Sequence, residues 1–299
     1  MSTTLSAGFI GLGAMGHSLA GHLRRHGLLA VVGNRTPIKA QQFAALNAVT
    51  AAQTAADFAD CQLVMLCVSA DHDVLENVRA LATVLQPGGV IVDHSTVSAG
   101  TAQAAHALLR EYGIGFLDAP VSGGVEGARN GKLSIMVGGE AAALDKARPA
   151  LETYALRITH MGPSGSGQAT KAVNQVLVAG IAQAVCEGLA LGEKLGLSPE
   201  LLVPTLAAGA AGNWFLDKRG ASMLANNFSP GFKSALLHKD LLIVAEMARA
   251  AGIRSTVIEQ SIRDYGELMA AGFGDEDTSA LIRLKRQAQA ITSPGSPGQ

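Results

Sequence analysis

The sequence contains few aromatic residues and no excess of charge of either sign. Only 4% of its 299 residues are aromatic, whereas 48% are hydrophobic, so the core must be built mainly from Ala, Leu, Val and Ile. The formal net charge of −1 excludes a generally basic surface of the kind that binds nucleic acid. At this length the chain has room for two domains.

Cysteine is scarce as well. The three cysteines cannot all pair, and each lies in an apolar stretch, which predicts reduced, buried thiols in a reducing compartment. None has the C-x-x-C spacing of a metal or redox site, and we expect no metal. The residues are Cys61, Cys67 and Cys186.

Targeting and membrane signals are also missing. The N-terminus enters the first predicted strand without a basic, apolar signal segment, which predicts a cytoplasmic protein. The longest charge-free helical stretch, residues 172–185, contains Asn174, Gln175 and Gln183, which makes it a poor membrane span.

A glycine-rich turn follows the first apolar strand, Ala7–Ile10. The turn is Gly11-Leu12-Gly13-Ala14-Met15-Gly16, and a helical pattern follows it. A G-x-G-x-x-G turn between a strand and a helix predicts dinucleotide binding, because the glycines allow a tight turn, close approach of a pyrophosphate and close packing of the helix. The helix N-terminus offers N–H groups and a partial positive charge to the phosphates.

The end of the second strand favours NADP over NAD. Asn34 stands where an NAD-binding unit places an Asp or Glu, and no carboxylate occurs between Gly27 and Asp57. Arg35 and Thr36 can instead contact a 2′-phosphate. The alternative is a helix-entry loop with Thr36 as N-cap and Pro37 at the first helical position, and both interpretations can hold together.

Strands and helices alternate as far as residue 162, which predicts a doubly wound sheet. Ligands of such sheets lie at the carboxyl ends of strands, which places Cys67, Val68 and Thr96 near the cofactor. After the break at residues 163–167 only helices are predicted, over 168–195, 199–208, 212–225, 232–251, 254–270 and 277–291. We therefore expect an α/β protein with a Rossmann-type domain over 1–162, an all-helical domain over 163–292 and a disordered tail over 293–299.

Lys171 is the strongest candidate for chemistry. On a helix, Lys171, Asn174 and Gln175 share one face, and the apolar residues that follow predict burial. Burial lowers the pKa of a lysine amine and suits it to proton transfer near neutral pH. The alternative is a lysine that lies near the helix start and reaches out to water.

Two further segments could hold an anion. Asp118-Ala119-Pro120-Val121-Ser122-Gly123-Gly124 follows a strand, and its backbone N–H groups could form a nest for a carboxylate, although Gly and Ser also occur in ordinary turns. Lys239 lies on a predicted helical stripe with Phe232, Leu236 and Ile243. It could hold the substrate or the cofactor phosphates, or only pair with Asp240.

These motifs, in this order, closely resemble the β-hydroxyacid dehydrogenase family over nearly the whole chain. The matching segments are residues 11–16, 118–124, 165–175 and 239–241. The family includes 3-hydroxyisobutyrate dehydrogenases and tartronate semialdehyde (2-hydroxy-3-oxopropionate) reductases. The resemblance implies a homodimer or homotetramer, with Lys171 as catalytic acid/base.

The resemblance also implies the remaining ligands. Ser122, Gly123 and Gly124 would hold the substrate carboxylate, and Asn174 and Gln175 would line the same site. Thr96 and Val68 would touch the cofactor, and Lys239 would close the pocket. Gln175 stands where 3-hydroxyisobutyrate dehydrogenases usually have a second asparagine, which favours the reductases at that one position.

The predicted activity is therefore NADP-dependent interconversion of a small anionic 3-hydroxy acid and its semialdehyde, with NAD as a possible second cofactor. A non-catalytic NADP-binding protein and an imine or carbonyl reductase on the same fold are the alternatives. The sequence leaves open the physiological substrate and the direction of the reaction.

Overall fold

The structure, a computed structural model, describes residues 5–287. These residues form two compact units. The first runs to Gln175 and includes Glu246–Ala251, and the second takes Val176–Ala245 and the chain from Gly252 onward. The boundary predicted between residues 162 and 163 remains a prediction, as do the limits of the two domains.

The first unit alternates strands and helices. Its strands are β1 (Ala7–Ile10), β2 (Leu29–Gly33), β3 (Thr50–Ala51), β4 (Leu63–Leu66), β5 (Val90–Asp93), β6 (Gly115–Asp118), β7 (Val121–Ser122), β8 (Leu133–Gly139) and β9 (Ala155–Gly162). Its helices are α1 (Gly16–Arg25), α2 (Pro37–Asn47), α3 (Asp71–Ala82), α4 (Ala99–Glu111), α5 (Gly124–Asn130) and α6 (Ala141–Leu151), with a 3₁₀ turn at Ala55–Phe58.

The strands form one sheet in the order β3-β2-β1-β4-β5-β6-β8-β7, with β9 paired to β8. The pairs from β3 to β6 are parallel, whereas β8 runs antiparallel to β6 and β7. The carboxyl ends of β1, β4, β5 and β6 therefore meet at one edge of the sheet, which is where such folds bind ligands.

Successive residues of the central strands pack on opposite faces of the sheet. Met65 and Val92 belong to the core shared with α1, α2 and α6, whereas Val64 and Ile91 belong to the core shared with α3 and α4. Both faces are covered, which explains why these strands are continuous apolar runs. The predicted doubly wound α/β fold with a helical C-terminal region is confirmed.

Three strands escaped sequence prediction. Two of them, β3 and β7, have only two residues each. The third, β9, lies at residues 155–162 and is largely exposed, with Leu156 75% exposed and polar residues at Arg157 and Thr159. It alternates polar and apolar residues, and that period-2 pattern was the available signal.

The second unit is helical. It contains most of α7 (Ser166–Lys194), then α8 (Pro199–Ala207), α9 (Trp214–Leu224), the part of α10 (Ser234–Ala250) that precedes Glu246, α11 (Thr256–Ala270), a 3₁₀ turn at Thr278–Leu281 and α12 (Ile282–Lys285).

Two predictions about these helices were wrong. Helix α10 begins at Ser234, so Phe232 lies outside the predicted stripe; its N–H and that of Gly231 bind the Asp277 carboxylate instead. Within the described residues, the helix predicted over 277–291 is a 3₁₀ turn with Asp277 as its N-cap, followed by a short α-helix that ends at Lys285. Residues beyond 287, including the predicted tail, lie outside the described part of the chain.

Helix α7 is only half covered within this chain. Its buried stripe follows the spacing of a core helix, for example Ala179, Ala182 and Cys186, whereas Val173 and Leu177 are each 61% exposed. The expectation of burial on all sides is therefore wrong for the single chain. In the described part of the chain, α7 is the helix that is long and apolar enough to cross a membrane, a test that core helices of soluble proteins also pass.

Candidate active site

The glycine turn has the geometry that a pyrophosphate needs. Gly11 has a φ of +103°, and a Cβ there would lie 2.2 Å from the Cys67 carbonyl oxygen. A Cβ at Gly16 would lie 1.9 Å from the Gly11 carbonyl oxygen, whereas a Cβ at Gly13 would meet no atom within 4 Å. Gly11 and Gly16 are thus required for packing, and Gly13 leaves open space beside the start of α1, which fits a bound dinucleotide.

The segment after β2 lies beside this turn. The Asn34 side chain accepts a hydrogen bond from the Leu12 N–H (2.9 Å) and donates to the Thr36 carbonyl (3.1 Å). Asn34 therefore braces the glycine turn from the place where an acidic ribose ligand would stand. Thr36 is the N-cap residue of α2 and Pro37 its first residue, as the helix-entry interpretation predicts.

Arg35 is the exposed cation of this segment. Its side chain is 79% exposed and its guanidinium lies 3.2 Å from the Asp73 carboxylate at the start of α3. The Asp73 side chain is only 12% exposed, so the pair joins an exposed guanidinium to a largely buried carboxylate. The contact uses Nη1 of Arg35.

The loops after β4 and β5 are joined at the same edge of the sheet. The Val68 N–H donates to Ser95 Oγ and the Ser95 N–H donates to the Asp93 carboxylate, both at 2.9 Å. This places Val68 next to the segment that contains Thr96. Cys67 is half-buried, so the expectation of a fully buried residue is wrong there, in contrast to Cys61 and Cys186. Burial of the Cys67 thiol, with a contribution from Asp93, still raises its pKa to about 12 and makes it a poor nucleophile.

The lysine lies in a buried polar cluster. Lys171 is 8% exposed, and its Nζ donates to the Val121 carbonyl oxygen at 2.9 Å. One residue later, Ser122 Oγ donates to Asn174 Oδ1 (3.3 Å), and Asn174 Nδ2 donates to Gln175 Oε1 (2.8 Å). The alternative of a lysine that reaches out to water is wrong, because the amine is directed to a carbonyl of the segment after β6.

The Gly123-Gly124 pair carries the strained part of that segment. Gly123 has a φ of +132° and Gly124 has a φ of +63°, and residues other than glycine rarely adopt these conformations. Helix α5 begins at Gly124, so its first N–H groups lie directly after Ser122. Consecutive N–H groups in such a turn can bind a carboxylate, as the sequence predicts.

His94 lies beside the cluster in a closed structural network. Its Nδ1 donates to the Ala119 carbonyl oxygen (2.7 Å) and its Nε2 accepts from the Tyr154 hydroxyl (2.8 Å). Burial lowers the pKa of His94 to about 4, so the ring is neutral. With both nitrogens bonded inside the protein, His94 supports the segment after β6.

In the helical unit, Lys239 lies on α10, and its Nζ is 3.0 Å from the carboxylate of the buried Asp240. The pairing that the sequence offered as an alternative is therefore present.

Two buried residues of this region, Asp118 and Gln168, had no role predicted from the sequence. The Asp118 carboxylate accepts the N–H groups of Gly165 and Gln168 in the turn before Lys171, whereas the Gln168 side chain binds the backbone of Ser95 and Val97 after β5. Both occur in the motifs quoted above, and the only local signal was a polar residue within an apolar context. No group of three side chains with metal-binding chemistry occurs within residues 5–287.

Two family models together match almost the whole chain. One, described as the NAD binding domain of 6-phosphogluconate dehydrogenase, matches residues 6–162. The other, described as the NAD-binding domain of NADP-dependent 3-hydroxyisobutyrate dehydrogenase, matches residues 165–285.

Known proteins match over the same length. The chain is 37% identical to an uncharacterized oxidoreductase of Shewanella frigidimarina over 93% of this chain and 97% of that protein. It is 34% identical to the 2-hydroxy-3-oxopropionate reductase of Escherichia coli over 93% and 96%. A solved structure of 3-hydroxyisobutyrate dehydrogenase from Mycobacterium tuberculosis with L-serine superposes with a TM-score of 0.86 at 31% identity, over 95% of this chain and all of that one.

Proposed function

The chain belongs to the β-hydroxyacid dehydrogenase family, and we propose that it is an NADP-dependent oxidoreductase that interconverts a small 3-hydroxy acid and its semialdehyde. The observation that carries the proposal is the buried Lys171 amine, which lies 2.9 Å from the carbonyl of Val121 and next to Ser122 and Asn174. An amine, a hydroxyl and an amide therefore lie together beside the segment after β6, at the ligand-binding edge of the sheet.

The residues around the glycine turn fit a dinucleotide. Residues 11–16 would hold the pyrophosphate, because Gly13 leaves open space at the start of α1. Val68, Thr96 and the backbone of Cys67 would line the rest of the cofactor site. When bound, the nicotinamide supplies a hydride in reduction and accepts one in oxidation.

The preference for NADP rests on the segment after β2. A ribose-binding carboxylate is replaced by Asn34, whose side-chain oxygen already binds the Leu12 N–H. Arg35 is exposed and contacts Asp73 through Nη1, so its other N–H groups could bind a 2′-phosphate together with the Thr36 hydroxyl. NAD remains a possible second cofactor.

Lys171 moves the proton of the reaction. In reduction its ammonium group donates a proton to the carbonyl oxygen of the semialdehyde, and in oxidation the neutral amine takes the proton of the hydroxyl group. The hydrogen bond to Val121 orients the amine between turnovers.

The substrate carboxylate is assigned to Ser122, Gly123 and Gly124, with Asn174 and Gln175 lining the same space. The positive-φ turn offers N–H groups and the serine offers a hydroxyl, which together suit an anion. Lys239 of the helical unit is proposed as a further cation for the substrate or the cofactor phosphates.

Replacement of Lys171 by alanine tests the proposal. We expect kcat to fall by about 10²- to 10⁴-fold, the usual contribution of general acid–base catalysis, while NADPH binding and thermal unfolding change little. The assay follows NADPH absorbance with a panel of small 3-hydroxy acids, including serine, and their semialdehydes, and with both cofactors. Retention of more than about a tenth of the wild-type kcat lies outside that range and would refute the role of Lys171.

We further propose a cytoplasmic homodimer or homotetramer in which another copy covers part of α7. The support is the row of apolar side chains that the single chain leaves exposed along that helix, a pattern typical of interaction surfaces. The row consists of Val173, Leu177, Ile181, Leu191 and Leu195.

A further inference from the structure

The first turn of α7 is tied to the end of β6 by a buried carboxylate. The two oxygens of Asp118 accept hydrogen bonds from the backbone N–H groups of Gly165 (2.8 Å) and Gln168 (2.9 Å). A helix N-terminus leaves such N–H groups without intrahelical partners and carries a partial positive charge, so a carboxylate stabilises it. Burial raises the pKa of Asp118, and these hydrogen bonds oppose that shift. Asp118 thus caps α7 from a distant strand.

Lys171 makes a second connection between the same two segments. Its amine binds the carbonyl of Val121, three residues after Asp118, and Lys171 itself lies three residues after Gln168. Three residues are about one helical turn, so the two connections are one turn apart on α7. A displacement of the helix at Asp118 must therefore move the amine of Lys171 relative to the substrate segment.

Gln168 connects the same turn to the segment after β5. Its side-chain amide donates to the Ser95 carbonyl oxygen (2.8 Å) and accepts from the Val97 N–H (3.3 Å), and the residue is 1% exposed. These bonds enclose Thr96, which is assigned to the cofactor site. The turn that precedes Lys171 is thus bound on one side to the substrate segment and on the other to the cofactor segment.

Two glycines make this approach possible. A Cβ at Gly138 would lie 2.6 Å from an oxygen of the Asp118 carboxylate. A Cβ at Gly167 would lie 2.3 Å from the Asp118 carbonyl oxygen and 2.5 Å from that of Met136. Helix α7 can therefore reach the carboxylate only because neither position has a side chain.

We propose that Asp118 and Gln168 are positioning residues that set the place of the Lys171 amine relative to substrate and cofactor, an inference that rests on the proposed function. Neither side chain needs to touch the reactants. They act by fixing the turn of α7 that supports the lysine.

A double-mutant cycle with Lys171 tests the inference. We expect Asp118→Asn to lower kcat roughly tenfold to a hundredfold, since a displacement of about 1 Å can cost about 10²-fold in rate. In Asp118→Asn, the Kd for NADPH, measured by NADPH fluorescence, should change by less than about twofold. The expected loss of rate comes from displacement of the Lys171 amine and not from weaker cofactor binding. In the Lys171→Ala background, Asp118→Asn should cause no further loss, because the group that it positions is gone.

The matched control is Asp57→Asn. The Asp57 carboxylate also accepts two backbone N–H groups, at 2.8 and 2.9 Å, but at the 3₁₀ turn Ala55–Phe58, and this variant should keep the wild-type kcat. If Asp118→Asn does not yield folded protein, the same double-mutant cycle with Lys171→Ala is measured for Gln168→Met. This substitution keeps the side-chain length and removes the hydrogen bonds to Ser95 and Val97.

An equal fold-loss in both Lys171 backgrounds would mean a general structural effect and would overturn the inference while leaving the proposed function intact. Unchanged kcat in Asp118→Asn and Gln168→Met would overturn it as well. A Lys171→Ala enzyme with near wild-type kcat would overturn both the inference and the proposed function.

Discussion

Replacing Asp93 by asparagine should change how the stability of the protein depends on pH. Asp93 ends β5 and is fully buried. One carboxylate oxygen accepts the N–H of Ser95, whereas the other has no hydrogen-bond partner within residues 5–287. Burial raises the pKa of Asp93 to about 7, opposed by the hydrogen bonds from Ser95 and reinforced by the nearby carboxylates of Asp118 and Asp71.

The raised pKa makes stability fall as pH rises. Below the unfolded pKa of 3.8, both the folded and the unfolded chain keep the proton of this carboxyl group, so its ionisation does not affect the free energy of unfolding. Between 3.8 and 7, the unfolded chain releases the proton while the folded chain retains it, so unfolding becomes easier with each pH unit. A full pH unit is worth about 1.36 kcal/mol, and the folded carboxyl group is itself half ionised near pH 7, so the change from pH 5 to pH 7 is on the order of 2 kcal/mol.

Asparagine keeps the acceptor for Ser95 and cannot ionise. The free energy of unfolding of Asp93→Asn, minus that of the wild type, should therefore rise by about 2 kcal/mol between pH 5 and pH 7 and level off above pH 7. His94 is neutral in the folded state because burial lowers its pKa to about 4, and its own contribution is lost as pH falls from 6.5 towards 4. Both proteins contain His94, so this contribution cancels in the difference.

Urea unfolding at pH 5, 6, 7 and 8 measures this difference. Far-UV circular dichroism is the appropriate signal, because the single tryptophan, Trp214, lies in the helical unit and its fluorescence reports that unit. A difference that stays constant from pH 5 to pH 8, or that falls with rising pH, would refute the account of Asp93 as a carboxyl group kept protonated by burial.

Three further outcomes follow from the cofactor segment, the substrate charge and the thiols. Arg35→Ala should raise KM for NADP(H) and barely change KM for NAD(H), because only NADP carries the 2′-phosphate; a wild type with higher kcat/KM for NADH than for NADPH would contradict the assignment. The methyl ester of the substrate should show at least a tenfold lower kcat/KM than the acid, since a hydrogen bond to a charged group contributes about 1.5–3 kcal/mol and about 1.4 kcal/mol is a decade. Lys239→Ala should weaken turnover of the acid more than that of the ester, whereas equal wild-type rates for both compounds would favour a neutral carbonyl or imine substrate. Burial raises the thiol pKa of Cys61 to about 11 and that of Cys186 to about 12, so at pH 8 both should resist iodoacetamide in native protein and react after unfolding in urea; rapid labelling of either in native protein, measured by mass spectrometry, would contradict their burial.

Local patterns predicted the fold class and the family. The central strands were recognisable because both of their faces are buried, which leaves continuous apolar runs such as Leu63–Leu66. The strand β9 was missed because an exposed edge strand shows no such run. The start of α10 was placed two residues early, because the bonds of Gly231 and Phe232 to Asp277 join residues about 45 apart in the chain.

The residues of the candidate site also divide into those that were recognisable from the local sequence and those that were not. Lys171, Asn174 and Gln175 were recognisable as one helical face from their spacing, and the glycines of residues 11–16 from theirs. Their proposed roles await the experiments above. The functions of Asp118 and Gln168 had no local signature, because their partners lie 47 to 73 residues away along the chain.

The sequence by itself determined the main strands, the glycine turn and the helix that carries Lys171, since those choices depend on residues within a few positions of one another; the two-residue strand β7 at Val121–Ser122 was missed. Only the tertiary structure decided which carbonyl oxygen accepts the hydrogen bond of the Lys171 amine and which carboxylate caps α7. It also decided which carboxyl groups are buried away from solvent. These properties depend on burial and on hydrogen bonds between distant segments, and both arise only when the strands pair and the helices pack on them.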